Sequence, residues 1–68
     1  MVERALKNNI KAYRAQKSMT QEELAQLVGV TRKTINVIEA GNYSPSVSLA
    51  LAIAETLDVQ LEELFQIA

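Results

Sequence analysis

The stretch Thr20-Gln21-Glu22-Glu23-Leu24-Ala25-Gln26-Leu27-Val28-Gly29-Val30-Thr31-Arg32-Lys33-Thr34-Ile35-Asn36-Val37-Ile38-Glu39-Ala40-Gly41 holds a helix start, a stop, a second start and a second stop. Thr20 and Glu23 have the spacing of a capping box: the hydroxyl accepts from the third helical N–H, and the carboxylate accepts from the N–H of the cap residue itself. Leu24, Leu27 and Val28 then recur as an inner apolar stripe. Gly29 ends the helix, because a residue just past a helix end commonly takes positive φ, which glycine does without steric penalty. Only Val30 separates that stop from Thr31, which is placed to cap a second helix running through Ala40 to its own stop at Gly41. Two short helices joined by a tight turn therefore occupy about residues 20–40.

Outward from this pair, Ala5, Leu6, Ile10 and Tyr13 lie at helical spacing with no Gly or Pro in residues 1–19, which predicts a first helix over most of that stretch. Its first few residues are equally compatible with a frayed end or a short strand. On the other side, Asn42-Tyr43-Ser44-Pro45 reads as a loop and Ser46 as the cap of a fourth helix. Val47, Leu49, Ala50, Leu51, Ile53, Ala54 and Leu57 make that helix apolar almost all round, which predicts the buried centre of the fold. Asp58-Val59-Gln60 marks a turn, and Leu61, Leu64 and Phe65 predict a short fifth helix ending near Ile67. The expected fold class is all-α, a compact five-helix bundle forming a single domain over residues 1–68.

Composition narrows the function. At 68 residues, with 49% hydrophobic and 22% charged, the chain is too apolar for a disordered tail, and it has no apolar run of the ~18 to 20 residues that a membrane span needs. Charged Glu3, Arg4 and Lys7 break the N-terminus where a signal peptide would be apolar, so a cytoplasmic location is expected. Histidine and cysteine are both absent, which removes the commonest metal ligands and general bases. Glu62 and Glu63 are adjacent and so point in different directions along a helix, unlike a working acid/base pair. The expectation is a protein that is not an enzyme, with no metal and no cofactor.

The net charge of −1 conceals a strong asymmetry. All seven basic residues (Arg4, Lys7, Lys11, Arg14, Lys17, Arg32, Lys33) lie in residues 1–34 against three acids, a balance of +4, while residues 35–68 hold five acids and no base. One pole suits phosphate and the other does not. Solvated helix faces would produce the same tally, so charge alone does not decide the partner.

The two helices with a glycine at their turn form the helix-turn-helix pattern, whose second, recognition helix enters the DNA major groove. At 100° per residue over about residues 31–40, Ile35, Ile38 and Glu39 fall on one side and Lys33, Asn36, Val37 and Ala40 on the other, with Arg32 flanking them near the helix start. That outward side carries no acid. Arg32 or Lys33 suits guanine O6 and N7, Asn36 suits adenine N6 and N7, and Val37 suits a thymine methyl.

Thr20–Ala25, Gly29–Ile35, Ile38-Glu39-Ala40-Gly41, Pro45-Ser46 and Ala54–Phe65, in this order and spacing, resemble the XRE type of helix-turn-helix regulator, the group that includes phage repressors and Cro. The resemblance covers essentially residues 8–66, and the short chain is similar to the single-domain repressors of the cytolysin repressor type. It implies base readout by Arg32, Lys33, Asn36 and Val37, and contacts to the DNA backbone by Thr20, Gln21, Thr31, Thr34, Asn42 and Tyr43. It further implies a partly buried salt bridge between Arg14 and Glu39, tying the first helix to the end of the recognition helix.

Departures from the family pattern carry their own expectations. Ala40 stands where Arg, Lys or Asn is frequent, and residues 42–46 contain no base, so few phosphates are neutralised and a shallow salt dependence of binding follows. Gln60 is a poor cap for the fifth helix. A single core of this size supplies only about 3 to 5 kcal/mol, which favours dimerisation. Leu61, Leu64, Phe65 and Ile67 in the region of about residues 58–68 are the expected interface, with Val2 and Leu6 as further candidates. Taken together, the chain is expected to be a sequence-specific double-stranded DNA-binding transcriptional regulator, most simply a repressor holding a palindromic operator as a homodimer. The alternative is an antitoxin-like interaction module that binds a partner protein and DNA only secondarily.

Overall fold

The computed structural model describes residues 6–67. Along the chain these form β1 (Leu6–Asn8), α1 (Ile10–Gln16), α2 (Gln21–Val28), α3 (Arg32–Glu39), α4 (Val47–Leu57), α5 (Leu61–Leu64) and β2 (Phe65–Ile67). Each helix sends at least one side chain into a common core: Ile10 from α1, Leu24 and Ala25 from α2, Ile35 and Ile38 from α3, Ile53, Ala54 and Leu57 from α4, and Leu64 from α5. Tyr13, Met19, Val28, Val30, Leu49, Val59, Leu61 and Phe65 pack around it, half-buried. Helices this short are marginal in isolation, so burial of these apolar faces is what stabilises them.

The helix boundaries follow the side chains that satisfy their free backbone groups. At α2 the Glu23 N–H donates to Thr20 Oγ1 at 3.0 Å and the Thr20 N–H donates to Glu23 Oε1 at 2.9 Å, completing the capping box. The Glu23 carboxyl is held below the ordinary carboxylate range, first by the bond from the Thr20 backbone N–H and then by the Thr20 side chain. Gly29 closes α2 at φ +78°, with the Val30 N–H donating to the Ala25 carbonyl at 3.0 Å. Thr31 and Ser46 cap α3 and α4 through the N–H groups of Thr34 and Leu49, at 3.2 Å each. At α5 the Gln60 side chain makes no capping bond, as expected of a poor cap; instead Glu63 Oε1 accepts from the Gln60 N–H at 3.1 Å.

The five expected helices are present, and the all-α expectation is loose only in leaving out a two-stranded ribbon, although a short strand was one reading of the first residues. β1 and β2 pair antiparallel, with Leu6 opposite Ile67, Lys7 opposite Gln66 and Asn8 opposite Phe65. The first helix therefore begins at Ile10, and the fifth ends at Leu64 instead of near Ile67. The part of the expected first helix on residues 1–5, and Val2 as an interface candidate, lie outside the described residues. Two asparagines lock the ribbon in place. The Asn9 N–H donates to the Leu64 carbonyl at 2.9 Å and Asn9 Nδ2 to the Glu63 carbonyl at 3.0 Å. Asn8 Nδ2 donates to the Ile38 carbonyl at 2.9 Å, while its Oδ1 accepts from the Ile10 N–H at 3.2 Å. Periodicity could not reveal strands of three residues whose partners lie at the opposite end of the chain.

Two core assignments are corrected as well. Leu27 is 63% exposed, and Ala25 takes the inner position beside Leu24. Leu27 lies 60° to one side of Leu24 around the helix and Ala25 100° to the other, and α2 turns the Ala25 side inward. On α4, Ala50, Ile53, Ala54 and Leu57 are buried, but Val47 is 73% exposed and Leu51 half exposed. The helix is central on one side and bare on the other.

Candidate nucleic-acid interface

The positions of Ile35 and Ile38, both buried, set the rotation of α3 and so decide what it presents. Arg32, Lys33 and Asn36 are exposed, Val37 is half-buried beside them, and Ala40 is exposed at the helix end. Among the described residues no hydrogen bond or ion pair engages the side chain of Arg32, Lys33 or Asn36. The outward face read from the sequence is thus assembled by the core.

Glu39, the single acid of α3, is turned away from that face. Arg14 Nε donates to Glu39 Oε2 at 2.6 Å and Arg14 Nη2 donates to Oε1 at 3.0 Å, a bidentate pair whose side chains are 12% and 7% exposed. Arg14 Nη1 also donates to the Met19 carbonyl at 2.7 Å, so the guanidinium joins α1, the α1–α2 connection and α3. The hydrogen bond to Glu39 raises the Arg14 pKa above its ordinary value, outweighing the opposing effect of burial. Charge-assisted bidentate geometry of this kind both neutralises the carboxylate and fixes the helix to which it belongs. The expected bridge is present.

Gln21 makes a contact to the recognition helix that the sequence did not specify. Its Nε2 donates to Glu39 Oε1 at 3.1 Å, making it the third member of the bridge and linking the first residue of α2 to the last of α3. The spacing of 18 residues between Gln21 and Glu39 carries no local signal, although the inward face assigned to Glu39 did call for partners.

Of the other expected backbone contacts, Thr20, Thr31, Asn42 and Tyr43 are exposed and Thr34 is half-buried. The Thr20 hydroxyl is occupied by its capping bond. Thr31 and Thr34 hydroxyls hydrogen-bond to each other at 3.0 Å. Together with Lys33, Val37 and Tyr43 they line a shallow notch of about 240 Å³ beside the reading face.

The expected interface residues divide into two kinds. Leu64 is fully buried within the chain and has no surface to offer, because the first turn of α5 points it into the core. Leu61 and Phe65 are half-buried and Ile67 is 58% exposed. Leu61 and Phe65 line an apolar groove with Leu6, Pro45, Val47 and Ala50, edged by Glu62. Val47 was not among the expected interface residues; its exposure follows from the direction in which α4 packs.

No group of three or more potential metal ligands is found among the described residues. No described helix is long and apolar enough to cross a membrane.

Comparison with known proteins places the arrangement. A helix-turn-helix family model matches residues 10–64. An uncharacterised HTH-type transcriptional regulator of Methanocaldococcus jannaschii is 48% identical over 60 residues, covering 88% of this chain and 91% of the relative. A Bacillus subtilis regulator of the same description, YgzD, is 43% identical, with coverage of 88% and 91%. Among solved structures, the restriction-modification controller protein C.AhdI of Aeromonas hydrophila matches with a TM-score of 0.74 and 31% identity, covering 79% of this chain and 82% of its own. A Bacteroides fragilis protein matches with a TM-score of 0.81 and 30% identity, covering 90% and 98%. The family is one of DNA-binding transcription regulators and not a class of enzymes. With the outward α3 face, the capped α2–α3 pair and these relatives in agreement, the chain belongs to the XRE-type helix-turn-helix family of transcriptional regulators.

Proposed function

We propose that this regulator is a sequence-specific repressor that binds a palindromic operator in double-stranded DNA as a homodimer in the cytoplasm. The observation that carries this reading is the chemistry of α3: three exposed donors, Arg32, Lys33 and Asn36, on a face from which the helix's one carboxylate has been withdrawn into a bond with Arg14. Arg32 and Lys33 donate to guanine O6 and N7, Asn36 pairs with adenine N6 and N7, and Val37 meets the neighbouring base edge. Thr20, Gln21 and Asn42 contact phosphates and set the register. Gln21 keeps one amide hydrogen for Glu39 and has its second for a phosphate.

Dimerisation through Leu61, Phe65 and Ile67, extended by Val47 along the same groove, covers apolar surface that the chain leaves open. A two-fold axis there presents recognition helices to successive major grooves about 34 Å apart. No observation favours the antitoxin-like reading.

Selection of bound sequences from a random duplex library by the purified protein tests the proposal. The expected result is a two-fold symmetric site with half-sites about one helical turn apart. Lys33→Ala or Asn36→Ala then weakens discrimination at particular base pairs by about 1 to 3 kcal/mol, whereas Gln21→Ala weakens all sequences alike. Few neutralised phosphates also give a shallow slope of log K against log salt. Failure to enrich any site overturns the reading.

A further inference from the structure

Asn8 and Asn9 are consecutive, and their side-chain amides reach the C-terminal ends of two different helices. Asn8 Nδ2 donates to the Ile38 carbonyl in the last turn of α3, and Asn9 Nδ2 donates to the Glu63 carbonyl at the end of α5. The Asn9 N–H takes the Leu64 carbonyl beside it. The last carbonyls of a helix have no donor within it, so donors from outside fix where the helix end lies. Among the described residues no hydrogen bond runs directly between α3 and α5. The core touches both helices, but apolar packing is non-directional, whereas an amide–carbonyl bond holds a helix end at a set distance and angle.

The two helices joined in this way have different tasks in the proposed regulator. α3 carries the reading face, and α5 with β2 carries Leu61, Phe65 and Ile67, the apolar surface assigned to self-association. Phe65 is also the residue opposite Asn8 in the ribbon. A helix of four residues and two strands of three are marginal alone, which places this end among the parts of the fold that open most easily. A partner that covers Leu61 and Phe65 only when α5 and the ribbon are formed stabilises them by mass action, and the formed ribbon holds Asn8 against α3.

We propose that Asn8 is a positioning residue for the recognition helix, through which a second copy seated on Leu61 and Phe65 strengthens operator binding by the first. The inference rests on the proposed DNA reading and homodimer. It adds a linkage inside each subunit, separate from the avidity of two half-sites on one duplex. Linkage is reciprocal, so DNA on the recognition helices tightens the dimer.

The experiment measures the dimer dissociation constant of the full chain by sedimentation equilibrium under two conditions. One uses a saturating short duplex that holds a single half-site of the selected operator; the other uses a duplex of equal length and scrambled sequence. A single half-site cannot bridge two subunits, which removes avidity, and the scrambled duplex carries the same charge. The half-site duplex is expected to tighten the dimer about five-fold per duplex bound, the weight of one net hydrogen bond. Asn8→Asp and Asn8→Ser each keep an oxygen for the Ile10 N–H, which Asn8 Oδ1 accepts at 3.2 Å, but have no amide to reach Ile38. In either variant the ratio of the two dimer constants falls close to one, with retained fold checked by circular dichroism.

Two results would overturn the inference: a wild-type dimer constant that is the same with both duplexes, or a tightening that persists in either folded variant. A wild-type chain that selects no site, or stays monomeric at every concentration, refutes the DNA reading or the homodimer itself and takes the linkage with it, so the two kinds of failure are distinct.

Discussion

The two ends of this molecule are built by opposite means. At the α2–α3 end, each boundary is made by a residue a few positions away: Thr20 with Glu23, Thr31 with Thr34, Gly29 with Ala25. At the ribbon end, Leu6–Asn8 finds its partners in Phe65–Ile67, and Asn9 bonds to Glu63 and Leu64. Local bonds set the helix boundaries at the reading end, while burial against the common core stabilises the helices themselves. The ribbon depends on prior collapse, since closing so long a loop carries an entropic penalty that a short two-stranded pairing cannot offset alone. The core, the Arg14–Glu39 bridge and the bond from Asn8 to the Ile38 carbonyl are what join the two ends.

Breaking the joint should show most. Glu39→Ala leaves the half-buried Arg14 guanidinium with only its bond to the Met19 carbonyl and is expected to destabilise the chain by up to about 3 to 5 kcal/mol, comparable with the whole stability of a domain this small. Urea denaturation should find it largely unfolded before any denaturant is added; a midpoint near that of the wild type would show that the bridge is dispensable. Leu64→Ala removes the core contribution of α5 and should lose about 2 to 5 kcal/mol, toward the lower end because α5 is four residues long and able to relax into the space. If Leu64 instead acted mainly between subunits, its loss would scale with protein concentration, which unfolding curves at several concentrations would reveal.

Smaller changes separate the ends more finely. Asn8→Ala strips one bond from the Ile38 carbonyl and one from the Ile10 N–H, and about 1 to 2 kcal/mol should be lost. Amide exchange is expected to accelerate in β1 and β2 well before α2, and uniform acceleration would mean that the two ends are one cooperative unit. Thr20→Ala should cost about 1 kcal/mol and fray only the start of α2. Because the folded-state pKa of Glu23 is depressed, its contribution is complete at neutral pH and fades as pH falls through its ordinary value of 4.5 toward the lowered one. The thermal midpoint of Glu23→Gln should accordingly fall less steeply between neutral and acid pH than that of the wild type. Least of all, Ile67→Ser should change stability by under about 0.5 kcal/mol at low protein concentration, while sedimentation shows weakened self-association.

Much of the candidate site was legible because recognition helices are read by periodicity. Ile35 and Ile38 define the inner side, so Lys33, Asn36 and Val37 follow on the other, and the structure places them there. Leu27 misled because its spacing fits a helical stripe as well as Ala25 does; small residues carry little weight in a hydrophobic pattern, although α2 turns Ala25 inward. Val47 and Leu51 misled for the converse reason. An all-apolar helix signals full burial, but this one has core on one side only, and nothing in its own sequence says how many neighbours will cover it.

The sequence by itself determined where α2, α3 and α4 start, which side of α3 faces out, and that Glu39 lies on its inward side, because capping, glycine conformation and helical period all act within a turn or two of chain. Only the tertiary structure decided that Phe65–Ile67 leaves α5 to pair with Leu6–Asn8, that Gln21 completes the Arg14–Glu39 bridge, and that Tyr43 closes a notch with Thr31, Thr34 and Val37. The first two join residues far apart in sequence, the third spans a loop, and the geometry of all three exists only after the core has fixed the distances between helices.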